Sequence, residues 1–317
     1  MSSITTFAAT ALVLFAIGQG IAAVRAEETL PPAPQNFLYT TAGELEANAT
    51  ILERPDIAGV QVVYNWRRLE PAEGQYDFSQ IEADLAAAQK LGKQLVIQVQ
   101  DRFFSLKSRN IPDYVLQGKQ YQGGLFPQPD GWATMQWIPE VRARYQALLQ
   151  ALAQKFDGKV LAVNLPETAI ETSEDEKRHG FTCDAYFDAE LENLGVARAA
   201  FSKSHVVQYV NFWPCEWEND HKYMSRLFEF AAAHDIGLGG PDIVPWRKGQ
   251  MKNSYPFFNQ YKGKLSFVGM AVQEPTLEYQ NDKTGKPFTK DEFTEFATDY
   301  LGVNAIFWSA ESPWLKK

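Results

Sequence analysis

From Asn36 onward, short runs of β-branched and aromatic residues alternate with longer stretches whose apolar side chains recur at helical spacing. Eight strands are predicted: Asn36 to Thr41, Ala58 to Tyr64, Gln94 to Gln100, Val160 to Leu165, His205 to Phe212, Gly237 to Pro241, Leu265 to Gln273 and Asn304 to Ser309. Helices are predicted between them, among others at Ser79 to Leu91, Pro139 to Phe156, Asp184 to Phe201, Asp220 to His234 and Thr289 to Tyr300. Ser79 stands where it can cap the first of these, Glu82 follows three residues later, Ile81, Leu85 and Ala88 share one face, and Gly92 ends it. Thr289 has the same place ahead of Asp291 and Glu292, whose charges complement the dipole of the first turn. Eight strands, each followed by a helix or by a loop long enough for one, fit an α/β architecture of one closed (β/α)8 TIM barrel, because closure leaves no sheet edge exposed. No internal repeat or low-complexity tract calls for a second domain. The irregular stretch from Phe103 to Trp137 after the third strand is aromatic and rich in Gly and Pro, as suits a long loop shaping a cleft above the barrel.

Ahead of this pattern, Phe7 to Val24 form an apolar run interrupted by Gly18 and Gly20, and Val24-Arg25-Ala26 offers a cleavage site. The expected division is a signal peptide over 1–26, an N-terminal extension over 27–35 and the barrel over 36–317, with a secreted or periplasmic destination. Met1 to Thr6 hold no Lys or Arg, so an uncleaved N-terminal anchor is the competing reading. Beyond Ala26 no apolar run approaches the roughly 18 residues of a membrane span, and no membrane partner is expected after cleavage. An exported chain meets oxidising conditions, so the two cysteines, Cys183 and Cys215, in the loops predicted after strands four and five, are expected to form a disulfide across one wall of the cleft. Asn48-Ala49-Thr50 is a glycosylation sequon within a predicted helix.

Apolar residues make up 45% of the chain and charged ones 22%, which supports a packed core and excludes a disordered chain. The 30 basic residues against 39 acidic ones give a net charge of -9, with no cationic face, so nucleic acid is not an expected partner. The four histidines, His179, His205, His221 and His234, have no metal-ligand spacing, and neither metal nor cofactor is expected. A monomer is the expected state.

Chemistry in such barrels gathers at the carboxyl ends of the strands. Two acids stand there directly after apolar strands: Glu167 after Val160 to Pro166, and Glu274 after Phe267 to Gln273. Strands four and seven face each other across the mouth, so the two carboxyls can converge on one bond. Glycoside hydrolysis needs this pair, one acid to protonate the leaving oxygen and one carboxylate to attack or to activate water. A gap of about 5 to 5.5 Å gives retention, and one of about 6.5 to 9.5 Å gives inversion. Either glutamate taken alone could instead cap a helix or pair with an arginine. Glu171, four residues beyond Glu167, is the alternative acid if the strand runs further.

The segment from Val62 to Phe78, with Trp66, Glu70-Pro71, Gly74 and Tyr76-Asp77-Phe78 ahead of a helix, resembles the second-strand signature of clan A glycoside hydrolases, the superfamily of cellulases, mannanases, xylanases and β-galactosidases. The resemblance implies a retaining mechanism with Glu167 as acid/base and Glu274 as nucleophile. It also implies that Trp308, at the end of the eighth strand, floors the sugar site. The chain departs from the clan's pattern at three places. Pro166 stands where an Asn usually precedes the acid/base, with Asn164 two residues earlier, so either Asn164 substitutes or that hydroxyl contact is lost. Asp101-Arg102 replace a histidine at the end of strand three, and Asp242 replaces a polar aromatic near strand six.

Sugars stack their C–H faces on indole and phenol rings. Trp66, Trp132, Trp137, Trp213, Trp217, Trp246 and Trp308 all fall at strand ends or in the loops after them, with Trp213 and Trp308 the foremost candidates against burial in the core. Arg67, Asp101 and Asp242 are further candidates for binding hydroxyls, with salt bridging as the competing role. The expected function is an exported hydrolase of an oligosaccharide or polysaccharide. The rival is a non-catalytic carbohydrate-binding barrel, for which Pro166 is the main argument.

Overall fold

Side-chain parity along the strands sorts the chain into an inner and an outer layer. The computed structural model describes residues 33–173 and 175–316, so the expected signal peptide and most of the extension lie outside the described residues. Eight parallel strands form a closed barrel: β1 Gln35–Thr41, β2 Ile57–Asn65, β3 Gln94–Gln100, β4 Ala162–Leu165, β5 His205–Tyr209, β6 Gly237–Gly240, β7 Val268–Val272 and β8 Ala305–Ser309, with β8 returning to pair with β1. Phe37, Val96, Ala162, Val207, Tyr209, Ala271 and Phe307 pack together inside the barrel, while the alternate positions Val62, Ile97, Val163, Val206, Met270, Ile306 and Trp308 face the helices. Gly269 keeps the interior closed: a Cβ there would lie 2.8 Å from the rings of Phe267 and Phe307. Above this apolar layer, Tyr209 donates from its hydroxyl to Gln61 Oε1 at 2.9 Å, and Gln61 Nε2 donates to Gln98. These bonds satisfy polar groups that have left water.

The helices follow the apolar periodicity. Pro139–Phe156 matches its predicted bounds, and Cys183–Ala200 and Tyr223–Ala233 lie close to theirs. Thr289 forms the expected reciprocal cap with Glu292, but the helix it opens runs only over Lys290–Glu295 before widening into a π turn over Phe296–Leu301. Ser79 is the first residue of the helix Ser79–Lys90 rather than its cap, and Asp77 Oδ1 accepts the Ser79 amide hydrogen instead. The segment with the family-like signature has a plain structural role. The Trp66 indole donates to Glu70 Oε2 at 2.8 Å, and Glu70 Oε1 accepts from the Gly74 amide and from Arg144, so a fully buried carboxylate ties the turn after β2 to the helix Pro139–Phe156.

The stretch after β3 is more ordered than its composition suggests. It holds a short helix, Asp113–Gln117, and a hairpin of Leu125–Gln128 with Gly131–Thr134. Reciprocal backbone bonds between Phe103 and Trp132 pin the hairpin over the barrel mouth. A Cβ on Gly131 would stand 1.9 Å from the Phe103 carbonyl oxygen, so only glycine fits where these backbones meet.

Candidate active site

Strand β4 ends at Leu165 because Pro166 has no amide hydrogen to extend the ladder. The next residues are then held sideways onto β5. The Pro166 carbonyl accepts from Gln208 Nε2, the Thr168 amide donates to the Tyr209 carbonyl at 3.1 Å, and the Thr168 hydroxyl donates to the Phe212 carbonyl at 2.9 Å. This anchoring aims Glu167 into a cavity of about 290 Å³ at the barrel mouth, which Arg102, Asn211, Asp242 and Gln273 also line. Phe103, Phe104 and Trp132 wall it from the side of the hairpin. Glu167 is 9% exposed, and burial pushes its pKa up to about 7. A hydrogen bond from Asn211 Nδ2 to Oε2 at 3.0 Å and the charge of Arg102 pull it down, and the charge of Asp242 pushes it further up.

Asp242 follows β6, and burial raises its pKa while Arg247 lowers it. Glu274 opens a short helix after β7 at an exposed position, and its Oε1 accepts the Ser309 hydroxyl hydrogen at 2.9 Å. Tyr39 lies on β1, at a strand position that faces the barrel interior. Burial pushes its pKa up to about 12, and the charges of Glu274, Asp242 and Glu167 all add to that rise.

Beneath the cavity, Arg102 forms a buried ion pair with Glu190 at 2.7 Å and donates to the Ala169 carbonyl at 3.2 Å. Burial pushes Glu190 up to about 7 against the pull of Arg102.

Other expected site residues lie elsewhere. Trp308 is fully buried on the outer side of β8, donates to Asn36 Oδ1 at 2.9 Å and packs edge-on against Trp314, so it does not floor the cavity. Its even position in the strand turns it towards the helices. Trp213 is 2% exposed among Tyr186, Phe187 and Tyr223. Trp66 is buried in its own turn against Tyr145, and Trp137 is buried with its indole donating to the His179 carbonyl. Arg67 pairs with Asp113 at 2.7 Å on the surface, outside the cavity. Asp101 is buried below the cavity and accepts from Gln136 Nε2 at 2.7 Å. Asn164 is buried at a strand position that faces the barrel interior and does not line the cavity of Glu167. Glu171 lies on the exposed rim of the cavity.

The amide beside Glu167 is Asn211, which the sequence reading passed over. It follows β5, which the sequence extends to Phe212, whereas the strand ends at Tyr209; the right end would have exposed Asn211 by the same strand-end rule. Tyr39 and Gln273 were also passed over, and both are polar side chains at or beyond strand positions that face the barrel interior.

The expected bridge between Cys183 and Cys215 is present, with Cα atoms 6.3 Å apart, and it joins the start of one crossover helix to the loop after β5. It closes a sequence separation of 32 residues, and its removal by Cys183→Ser with Cys215→Ser is expected to cost about 3–4 kcal/mol of stability. Urea unfolding of the variant beside the oxidised parent checks this.

With this geometry, the chain compares with known structures as follows. It aligns with the catalytic domain of β-amylase from Paenibacillus polymyxa at a TM-score of 0.58 and 11% identity, covering 87% of this chain and 92% of that one. The chain shares that fold. A psychrophilic endo-β-1,4-xylanase of glycoside hydrolase family 10 aligns at 0.53 and 11% identity over 88% and 87% of the two chains. Xylanase 10B from Thermotoga petrophila RKU-1, in complex with xylobiose, aligns at 0.51 and 10% identity over 86% and 81%. No family model matches the sequence, and no curated protein matches it. Among the described residues, no helix is long and apolar enough to cross a membrane.

Proposed function

We propose that the protein is an exported glycoside hydrolase acting on an oligosaccharide or polysaccharide, with Glu167 as the proton donor and Glu274 as the nucleophile of a retaining mechanism. The observation that carries this reading is the placement of Glu167, buried at the carboxyl end of β4 in a cavity that a second strand-end acid, Asp242, also lines. A carboxyl that holds its proton to about pH 7 can deliver it to a glycosidic oxygen as the bond breaks. The Ser309 hydroxyl holds one oxygen of Glu274 and leaves the other to attack the anomeric carbon. Asn211 fixes the Glu167 carboxyl by one oxygen, which keeps the acidic hydrogen on a defined side. The Cys183–Cys215 bridge supports the export part of the reading. The neighbours that are hydrolases of glycosidic bonds support its chemistry.

One observation favours a second assignment of the partner carboxylate: Asp242 lines the cavity with Glu167, and Glu274 is not part of that lining. The two assignments separate by mutation. With Glu274 as nucleophile, Glu274→Gln lowers turnover about a thousandfold or more while Asp242→Asn keeps a measurable fraction, and the reverse order assigns the role to Asp242. Release of reducing ends from a glycan panel is the readout, and NMR of the first-formed anomer tests retention. Near-full activity in both variants removes the two-carboxylate mechanism. Glycans retained without cleavage by the parent protein identify a binding barrel.

A further inference from the structure

We propose that the loop after β6 builds a subsite for an acidic sugar unit of the substrate chain, with Arg247 as the group that meets the sugar carboxylate. This rests on the glycoside hydrolase reading for its carbohydrate partner.

A cavity of about 540 Å³ opens between the segment 244–249 and Tyr279 with its following turn. Arg247, Lys248 and Lys283 line it, against the single acid Asp282, in a chain whose net charge is -9. Within this lining cations outnumber acids; Asp242, on which the Arg247 charge also acts, and Glu292, Glu295 and Asp299, which share the neighbouring cavity with Trp246 and Lys283, stand at its edges. The Arg247 guanidinium lies 4.7 Å from the centre of the Tyr279 ring, and among the described residues it is in no ion pair. Stacking of this kind holds the planar fork in place while its donors remain available for a carboxylate.

Trp246, on the same wall, supplies the apolar half of such a site. It is 58% exposed and is held at a left-handed φ of 62°, a costly conformation for a bulky residue. Phe296 and Tyr300 meet its ring at steep angles, 4.9 and 5.3 Å from its centre, and brace it in this exposed position. An indole fixed at the surface is a platform for the C–H face of a pyranose.

The cavity is also linked to that of Glu167 through shared wall residues. Arg247 and Gly249 line a second space, of about 440 Å³, together with Asn211, Phe212 and Asp242, and those three residues also line the cavity of Glu167. The proposed glycan would run from Glu167 past Asp242 to Arg247, along the residues these neighbouring cavities share.

Binding is measured with the full chain carrying Glu167→Gln, so that ligand is not consumed. The probes are glucuronoxylan, polygalacturonate and alginate, each beside its carboxyl-reduced counterpart in which every uronate has become a neutral sugar, and a sulfated galactan. At least one acidic glycan is expected to bind about tenfold tighter than its reduced counterpart at low salt, with the preference lost on adding Arg247→Gln. The double change Lys248→Glu with Lys283→Glu, confined to exposed side chains, is expected to weaken the same preference without disturbing the fold. Equal binding within every pair, a preference that survives both variants, or tight binding of the sulfated galactan alone overturns the proposal. Turnover by the Glu167→Gln chain would remove the catalytic reading instead, and leaves the binding result standing.

Discussion

Glu167→Gln is expected to reduce turnover about a thousandfold or more and, above neutral pH, to make the protein more stable than its parent. Both effects come from one buried carboxyl. Its pKa rises from 4.5 in the unfolded chain to about 7 in the fold, chiefly because burial penalises the charged form. The folded state therefore holds the proton more tightly than the unfolded one. The associated stability is fully present below pH 4.5 and is lost as pH rises through about 7. Glutamine has no charge to bury, so the variant escapes that loss. Its advantage is near zero at pH 4 and grows to about 3 kcal/mol above pH 7, which corresponds to a rise in Tm of several degrees for a chain of this size. Thermal unfolding of parent and variant at pH 4 and pH 8, with turnover measured in parallel, checks both halves. Equal stability at pH 8 would mean that the carboxylate is hydrated in the native protein.

The second large effect is expected from Arg102→Met. Among the described residues Arg102 is the cation paired with Glu190, both groups are buried, and the same guanidinium also pairs with Asp101 at 3.7 Å and donates to the Ala169 carbonyl beside the cavity of Glu167. Removing one partner of a buried pair leaves the other charge uncompensated, which costs about 3–5 kcal/mol. Adding Glu190→Gln is expected to restore part of this, because Met and Gln no longer require each other while Asp101, the second acid beside Arg102, stays without its cation. The folded Arg102→Met protein has a second signature under the hydrolase reading. Arg102 holds the Glu167 pKa down, so its loss raises that pKa and moves the alkaline limb of kcat/KM to higher pH. Urea unfolding of the single and double variants and a pH–rate profile measure the two effects separately.

Strand-end reasoning located Glu167 and Asp242 at the cavity because an acid immediately after a buried apolar run has few places to go except the barrel mouth. The same reasoning placed Trp132 at the cavity but failed for the two foremost aromatics. Trp213 and Trp308 look like sugar platforms by position, yet they are buried, while Trp217 and Trp246 stand 53% and 58% exposed. A shift of one residue reverses the face that a strand side chain occupies, and linear position does not reveal which aromatics the neighbouring helices cover. Asn211 escaped for a related reason, since an apolar pattern shows that a strand exists more clearly than where its ladder stops.

By itself, the order of apolar runs in this chain determined the eight-stranded closed barrel, most of its long helices and the ends at which its acids gather, because burial periodicity is a local property that each segment carries alone. Only the tertiary structure decided which acids share a cavity, that Asn211 holds Glu167, that Arg102 neutralises Glu190 beneath it, and that Arg247 and Trp246 face an open groove. Those relations join residues tens of positions apart, and their energies depend on the burial and spacing that closure of the barrel creates.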